Sequence, residues 1–243
     1  MRAAALVLTA AAPVVLAAGG ATAVTPFSSA APGAPLPAPW RELVLARVKP
    51  PRFALVDDGG TTVLRVTSEA AAGAVGHALR IAAADRPSLA WRWKVNGVVE
   101  HADLATKRGD DFAARVYVFF DVPAGEIPVG QRIALAFARW LYGPDVPSAA
   151  LCYVWDNTHP MGTSVWSAYT RRVRVVVLES GNARAGQWVD ERRDVEADYR
   201  AAFGTDGKAP PVSGVAAGND TDQTGATATA WFGDFRVARE RAR

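Results

Sequence analysis

Beyond residue 52, apolar and polar positions alternate in short runs, the period-two pattern of strands that bury one face. It predicts strands over 53–56, 61–68, 75–82, 88–96, 112–122, 150–157, 172–179, 187–195, 212–218 and 226–238. Asp57-Asp58-Gly59-Gly60 separates the first two, and such Asp/Gly turns join hairpins. In the strongest run, 112–122, Arg115, Tyr117 and Phe119 share one face, with Ala114, Val116, Val118 and Phe120 on the other. Two stretches break the alternation. Ile133, Phe137, Trp140 and Leu141 recur at helical spacing, predicting a helix over 130–142. DVEADYRAAF at 194–203 opens acidic and stops at Gly204, predicting a second. Strands and helices in this non-alternating order imply a mainly β fold. The expectation is an antiparallel β-sandwich, jelly-roll or lectin-like, with one or two short peripheral helices.

Composition adds compartment and partner class. At 243 residues, half of them hydrophobic, the chain suits one domain around one large core. Its 27 Lys+Arg and 24 Asp+Glu are spread without a basic tract, which argues against nucleic acid. Arg2, the apolar run from Ala3 to Ala18 and the small residues Ala21-Thr22-Ala23 form a secretory signal over 1–23, cleaved after Ala23. A retained anchor needs roughly 20 apolar residues; this run contains Pro13 and ends at Gly19-Gly20. The reading is a secreted or periplasmic protein with no transmembrane span after cleavage. Residues 24–39, VTPFSSAAPGAPLPAP, read as a flexible leader, with a single domain over 40–239. Cys152, the sole cysteine, lies in LCYVW and reads as a small buried hydrophobe, without an internal disulfide.

The candidate chemistry is dispersed. Trp91 and Trp93 fall on one face of their strand and read as core, which points Arg92 and Lys94 outward. Arg115, in an apolar strand beside Tyr117, needs an anionic partner, with Asp110, Asp111 and Glu191 as candidates. Tyr153, Trp155 and Asn157 share a face, and rings beside an amide suit sugar recognition, the rings stacking and the amide meeting hydroxyls. Asn219, Asp220 and Asp222 place oxygens before Gly225 as in the first half of a calcium loop. Trp231 stands where an EF-hand would close with Glu, so calcium is possible and no cofactor is required. His77, His101 and His159 have no metal-ligand spacing. No GxSxG motif, Gly-rich phosphate loop or clear nucleophile–base pair is present.

WRWKV at 91–95, KRGDDFAARVYVFFD, YVWDNTHPMGT, YTRRVRVVVLESG, GQWVDERRDVEADYRAAFG and NDTDQTGATATAWFGDFRV occur in this order. Together they resemble the bacterial secreted family filed as domain of unknown function 3047, over roughly Trp40 to Val237. Asp156 departs from the pattern, where the family places a small residue, usually Gly, before the Asn. The resemblance implies a secreted single-domain protein and supplies no activity. The Asx-rich turn before an aromatic-Gly-Asp-aromatic last strand is similar to the ends of lectin- and glucanase-type jelly rolls. The ExDxxE run of retaining β-glucanases and the QxH and YxKxGxY runs of jelly-roll alginate lyases are missing. Three functions follow from the sequence. The first is binding of an envelope or acidic polysaccharide by Arg92, Lys94, Arg115, Tyr117, Tyr153, Trp155 and Asn157. The second is glycan cleavage, by hydrolysis or elimination, with Asp110, Asp111 or Glu191 as acid or base. The third is a structural envelope role with a protein partner. Oligomeric state is not encoded in any of these patterns.

Overall fold

A computed structural model describes residues 23–43, 45, 48–82, 85, 87–127, 130 and 148–239. All but Ala23 of the signal expected over 1–23, and nearly all of the helix expected over 130–142, lie outside the described residues. Thirteen strands and one α-helix are described: β1 Arg41–Leu43, β2 Arg52–Asp57, β3 Thr62–Glu69, β4 Ala72–Ile81, β5 Pro87–Val95, β6 Phe112–Phe120, β7 Ala149–Asp156, β8 Ser164–Ser167, β9 Thr170–Ser180, β10 Val189–Asp194, α1 Val195–Phe203, β11 Val212–Asp220, β12 Thr227–Phe232 and β13 Arg236–Arg239.

The strands form two sheets. One has seven strands in the order β1-β4-β11-β6-β7-β9-β8; the other runs β10-β5-β12-β3-β2, with β13 also paired to β5. All pairs are antiparallel except β7 with β9. That exception has a local cause. After β7 the chain crosses to the sheet edge, makes the short strand β8, and returns as β9 between them. The architecture is the β-sandwich that the alternation predicts. Val116, Val118, Phe120, Leu151, Tyr153 and Trp155 point inward from the larger sheet, and Leu64, Val66, Leu89, Trp91, Trp93 and Phe232 from the smaller. Burying one aliphatic or Phe side chain contributes about 1.5–3 kcal/mol.

Asp57–Gly60 turns the β2–β3 hairpin, with Asp58 N–H donating to Thr61 O and Gly59 and Gly60 both at positive φ. Helix α1 starts where Asp194 accepts from Ala197 N–H and ends at left-handed Gly204, burying Val195, Tyr199 and Ala202. The expected strand 226–238 is two strands, broken at 233–235. Asp156 sits in extended strand β7, and Ala70 is the non-glycine residue at positive φ among those described, so the family's glycine answers no left-handed requirement there.

Residues 24–39 are not a flexible leader. Phe27 is fully buried and stacks on Trp40 at 4.6 Å, with Phe235 at 6.3 Å. Trp40 Nε1–H donates to Thr25 O, while Thr25 N–H donates to Nε2 of buried His77, whose Nδ1 faces Ala78 O. Ser28 gives both its N–H and its O–H to Asp234. Anchors at Val24, Phe27 and Trp40 turn a Pro/Ala-rich stretch into a strap across the sandwich.

Candidate functional site

The alternation that sends Trp91 and Trp93 inward sends Arg92 and Lys94 onto the outer face of the six-stranded sheet. Residues directly opposite on neighbouring strands share a face, so register identifies their companions. Asp190 of β10 lies opposite Arg92; Trp231 of β12 lies opposite Lys94, and Arg65 of β3 opposite Trp231. A further row across β10, β5 and β13 consists of Arg192, Ala90 and Arg236.

Trp188, just before β10, joins this face. The Arg92 guanidinium lies 4.5 Å and the Lys94 ammonium 4.9 Å from its ring centroid, and that ammonium is also 4.9 Å from the Trp231 ring. Both indoles are half-buried, and they stand within about 10 Å of each other across Lys94. Asp58, from the β2–β3 turn, pairs with Lys94. Gly233 leaves room for Arg92: a Cβ there would meet Arg92 Cγ at 2.6 Å and Nε at 2.8 Å. Beside Arg92 opens a cavity of about 560 Å³, lined among others by Thr61, Arg92, Asp190, Arg192, Asp234 and Arg236.

Glu191, on the intervening position of β10, also borders the cavity. Burial, reinforced by repulsion from Glu179, pushes its carboxyl up to about 7, and its Oε1 has no hydrogen-bond partner. Glu179, itself raised by burial, accepts from Arg184 at 2.8 Å. Next along β10, Arg193 makes a two-pronged contact with Asp198, which also accepts the Tyr153 O–H at 2.7 Å. Burial raises the Tyr153 phenol well above its ordinary range.

A second group of charges lies on the outer face of the seven-stranded sheet. Arg115, largely buried, contacts Asp220 Oδ2 at 3.1 Å, Asp110 Oδ2 at 3.6 Å and the Tyr117 hydroxyl at 3.1 Å. Asp111 is fully buried and accepts from Gln223 N–H and Thr224 N–H, fastening the 221–225 loop. Burial is the main cause that pushes Asp220 up to about 9 and raises Asp110, in both cases against the attraction of Arg115. Cys152 lies buried nearby, its thiol pushed up by burial to about 12. Carboxylate oxygens of Asp111, Asp220 and Asp222 lie within 4.8 Å of one another. Asn219 leaves this set: its amide turns inward to Val66 O and Ala228 O.

The residues expected to bind ligand are therefore dispersed. Arg92 and Lys94 share one face, Arg115 and Tyr117 belong to the opposite sheet, and Asn157 spans a loop by donating to Glu100 O and Ala102 O. Tyr153 and Trp155 are 0% and 1% exposed in the core, so neither presents a ring to solvent. The side chain alternation of β7 had a simpler use, filling the space between the sheets. Asp110 and Asp111 are likewise separate from Glu191, and Arg115 finds its anions in Asp220 and Asp110. The sequence reading assigned neither Trp188 nor Trp231 to a binding face. Parity could have found them, since each alternates with an inward residue, Val189 and Phe232.

The family described as "Protein of unknown function (DUF3047)" matches residues 38–236. No curated protein sequence matches the chain. Among solved structures, the chain is similar to the xyloglucanase domain of NopAA, a type three effector from Sinorhizobium fredii in complex with cellobiose. That match has 8% identity and a TM-score of 0.47, over 83% of this chain and 91% of that one. Endoglucanase 3 of Trichoderma harzianum, from family GH12, matches at 7% identity and TM-score 0.43, over 84% and 99%. The family 30 carbohydrate-binding module of a Clostridium thermocellum cellulosomal cellulase matches at 11% and 0.36, again over 84% and 99%. Similarity at this level assigns no ligand or reaction to the chain. Among the described residues, no helix is long and apolar enough to cross a membrane.

Proposed function

The chain belongs to the DUF3047 family, whose description carries no activity, and we propose that it is an exported carbohydrate-binding β-sandwich. Its ligand is a polysaccharide of the envelope, and it binds on the outer face of the six-stranded sheet. One observation carries this reading: two half-exposed indoles, Trp188 and Trp231, stand on one face with Arg92 and Lys94 between them, beside an open cavity. Rings offer apolar surface to a sugar face, while guanidinium, ammonium and carboxylate groups take hydroxyls. Truncating an aromatic anchor costs about 2 kcal/mol, about thirtyfold in affinity. Trp188→Ala and Trp231→Ala should each weaken binding to a polysaccharide array by that factor with the melting temperature little changed. Undiminished binding by the double variant would remove the face from consideration. In the same reading calcium, when bound, is held by Asp111, Asp220 and Asp222, and it braces the 221–225 loop without entering the binding face.

Glu191 supports a second reading, cleavage of the bound glycan. A carboxyl held near 7, whose buried Oε1 has no hydrogen-bond partner, on a residue that borders the cavity, suits a general acid. If it serves so, Glu191→Gln abolishes release of reducing ends from a bound polysaccharide while leaving binding intact. Release at the wild-type rate by that variant would leave binding alone.

A further inference from the structure

We infer that the cavity beside Arg92 is a subsite for a sugar ring bearing a carboxylate, so that the polysaccharide is a uronate polymer. This rests on the glycan-binding face proposed above. Register sets the frame. Arg192 and Arg236 lie directly across Ala90 on the two strands that flank it, and Arg92 stands two residues along the same strand. The flanking strands are two strand spacings apart, on the order of 10 Å. Ala90, the small residue between them, leaves the middle of that row open, and the cavity occupies the opening.

Charge specifies what fills it. Three guanidiniums line the cavity, and among the described residues neither Arg92 nor Arg236 makes an ion pair. Arg192 is already engaged, reaching Ser88 Oγ at 3.3 Å. Of the three acids on the wall, Glu191 alternates to the inward face opposite Trp91, and Asp234 accepts from Ser28 N–H and O–H, one on each of its oxygens. Asp190 lies cross-strand from Arg92, but Arg92 stacks on Trp188 instead of bonding to it. Held over the Trp188 ring and without an ion pair, the Arg92 guanidinium keeps N–H donors available, and a guanidinium fork matches a carboxylate by two parallel hydrogen bonds. Asp190 supplies the acceptor for ring hydroxyls that an all-basic pocket would lack. The combination selects a hydroxylated ring with one planar anion.

The test is calorimetric titration of the exported protein with a galacturonate oligosaccharide, its methyl ester and a sulfated oligosaccharide of similar length. The uronate should bind about tenfold or more tighter than its ester, the scale of one charge-assisted contact, and the preference should shrink with salt. Arg236→Gln and Arg92→Gln should bring acid and ester to equal affinity, and Arg236→Lys should keep part of the preference by keeping the charge. Equal binding of acid and ester by the wild type, with loss in Trp188→Ala, overturns the subsite and leaves the glycan face standing. Tighter binding of the sulfated ligand overturns the carboxylate assignment. No binding of any glycan overturns the face and the subsite together.

Discussion

Arg92 and Gly233 show how one missing side chain sets the position of another. Gly233 does not have positive φ, so alanine is compatible with its backbone. The obstacle is the Arg92 side chain, which an added Cβ would meet at 2.6 Å. Gly233→Ala should therefore move Arg92 off Trp188 and weaken glycan binding several-fold, approaching Arg92→Gln. A melting curve within a few degrees of wild type would show that the damage is local. At this scale parity along a strand was legible: Trp91 and Trp93 are core because their neighbours are charged, and Arg92 and Lys94 face out. Parity cannot say which sheet a strand joins. Arg92 and Arg115 both point away from the core, and only the pairing of β5 with β10 and of β6 with β7 places them on opposite outer faces. Tyr153 and Trp155 misled for a related reason, because a ring on a strand looks the same in sequence whether its face meets solvent or another sheet.

The elements divide by how local their causes are. The β2–β3 hairpin and α1 were readable because turn glycines and caps act over a few residues. Strand β8 was not, since four half-buried residues, SVWS, carry little periodicity; nor was the parallel seat of β9, which depends on the excursion through β8. The strap is the sharpest case. Its anchors Val24, Phe27 and Trp40 follow neither helical nor strand spacing, so composition alone made the segment look unstructured. Phe27→Ala should cost about 3–5 kcal/mol, read as a lower denaturant midpoint at unchanged slope. A leader without contacts would tolerate the change.

Across the whole molecule, buried acids set an unusual response to pH. Glu191, at about 7, and Asp220, at about 9, both bind their protons more tightly folded than unfolded. Wherever the native state holds more protons, stability falls as pH rises. Their contribution is complete below the ordinary carboxylate range and is lost through about 7 for Glu191 and about 9 for Asp220. His77, lowered by burial, acts in the opposite sense, but that change is over once pH passes the ordinary histidine value. The melting temperature should therefore decline between pH 7 and 9, and Asp220→Asn should flatten the decline. Calcium at Asp111, Asp220 and Asp222 would displace the Asp220 proton, so added calcium should raise the melting temperature more at pH 8 than at pH 5. A calcium response that ignores pH would place the ion elsewhere.

The strap also bears on the order in which the protein can be made. Ser28 is bound to Asp234, 206 residues further along, and Phe27 packs on Phe235. A chain synthesised from its N-terminus can offer Phe27 the Trp40 ring early, but Asp234 and Phe235 only once nearly all of it exists. Contacts this distant slow folding, because loop closure precedes the gain. The strap is therefore fastened last, once nearly the whole chain is present to close the sandwich around it.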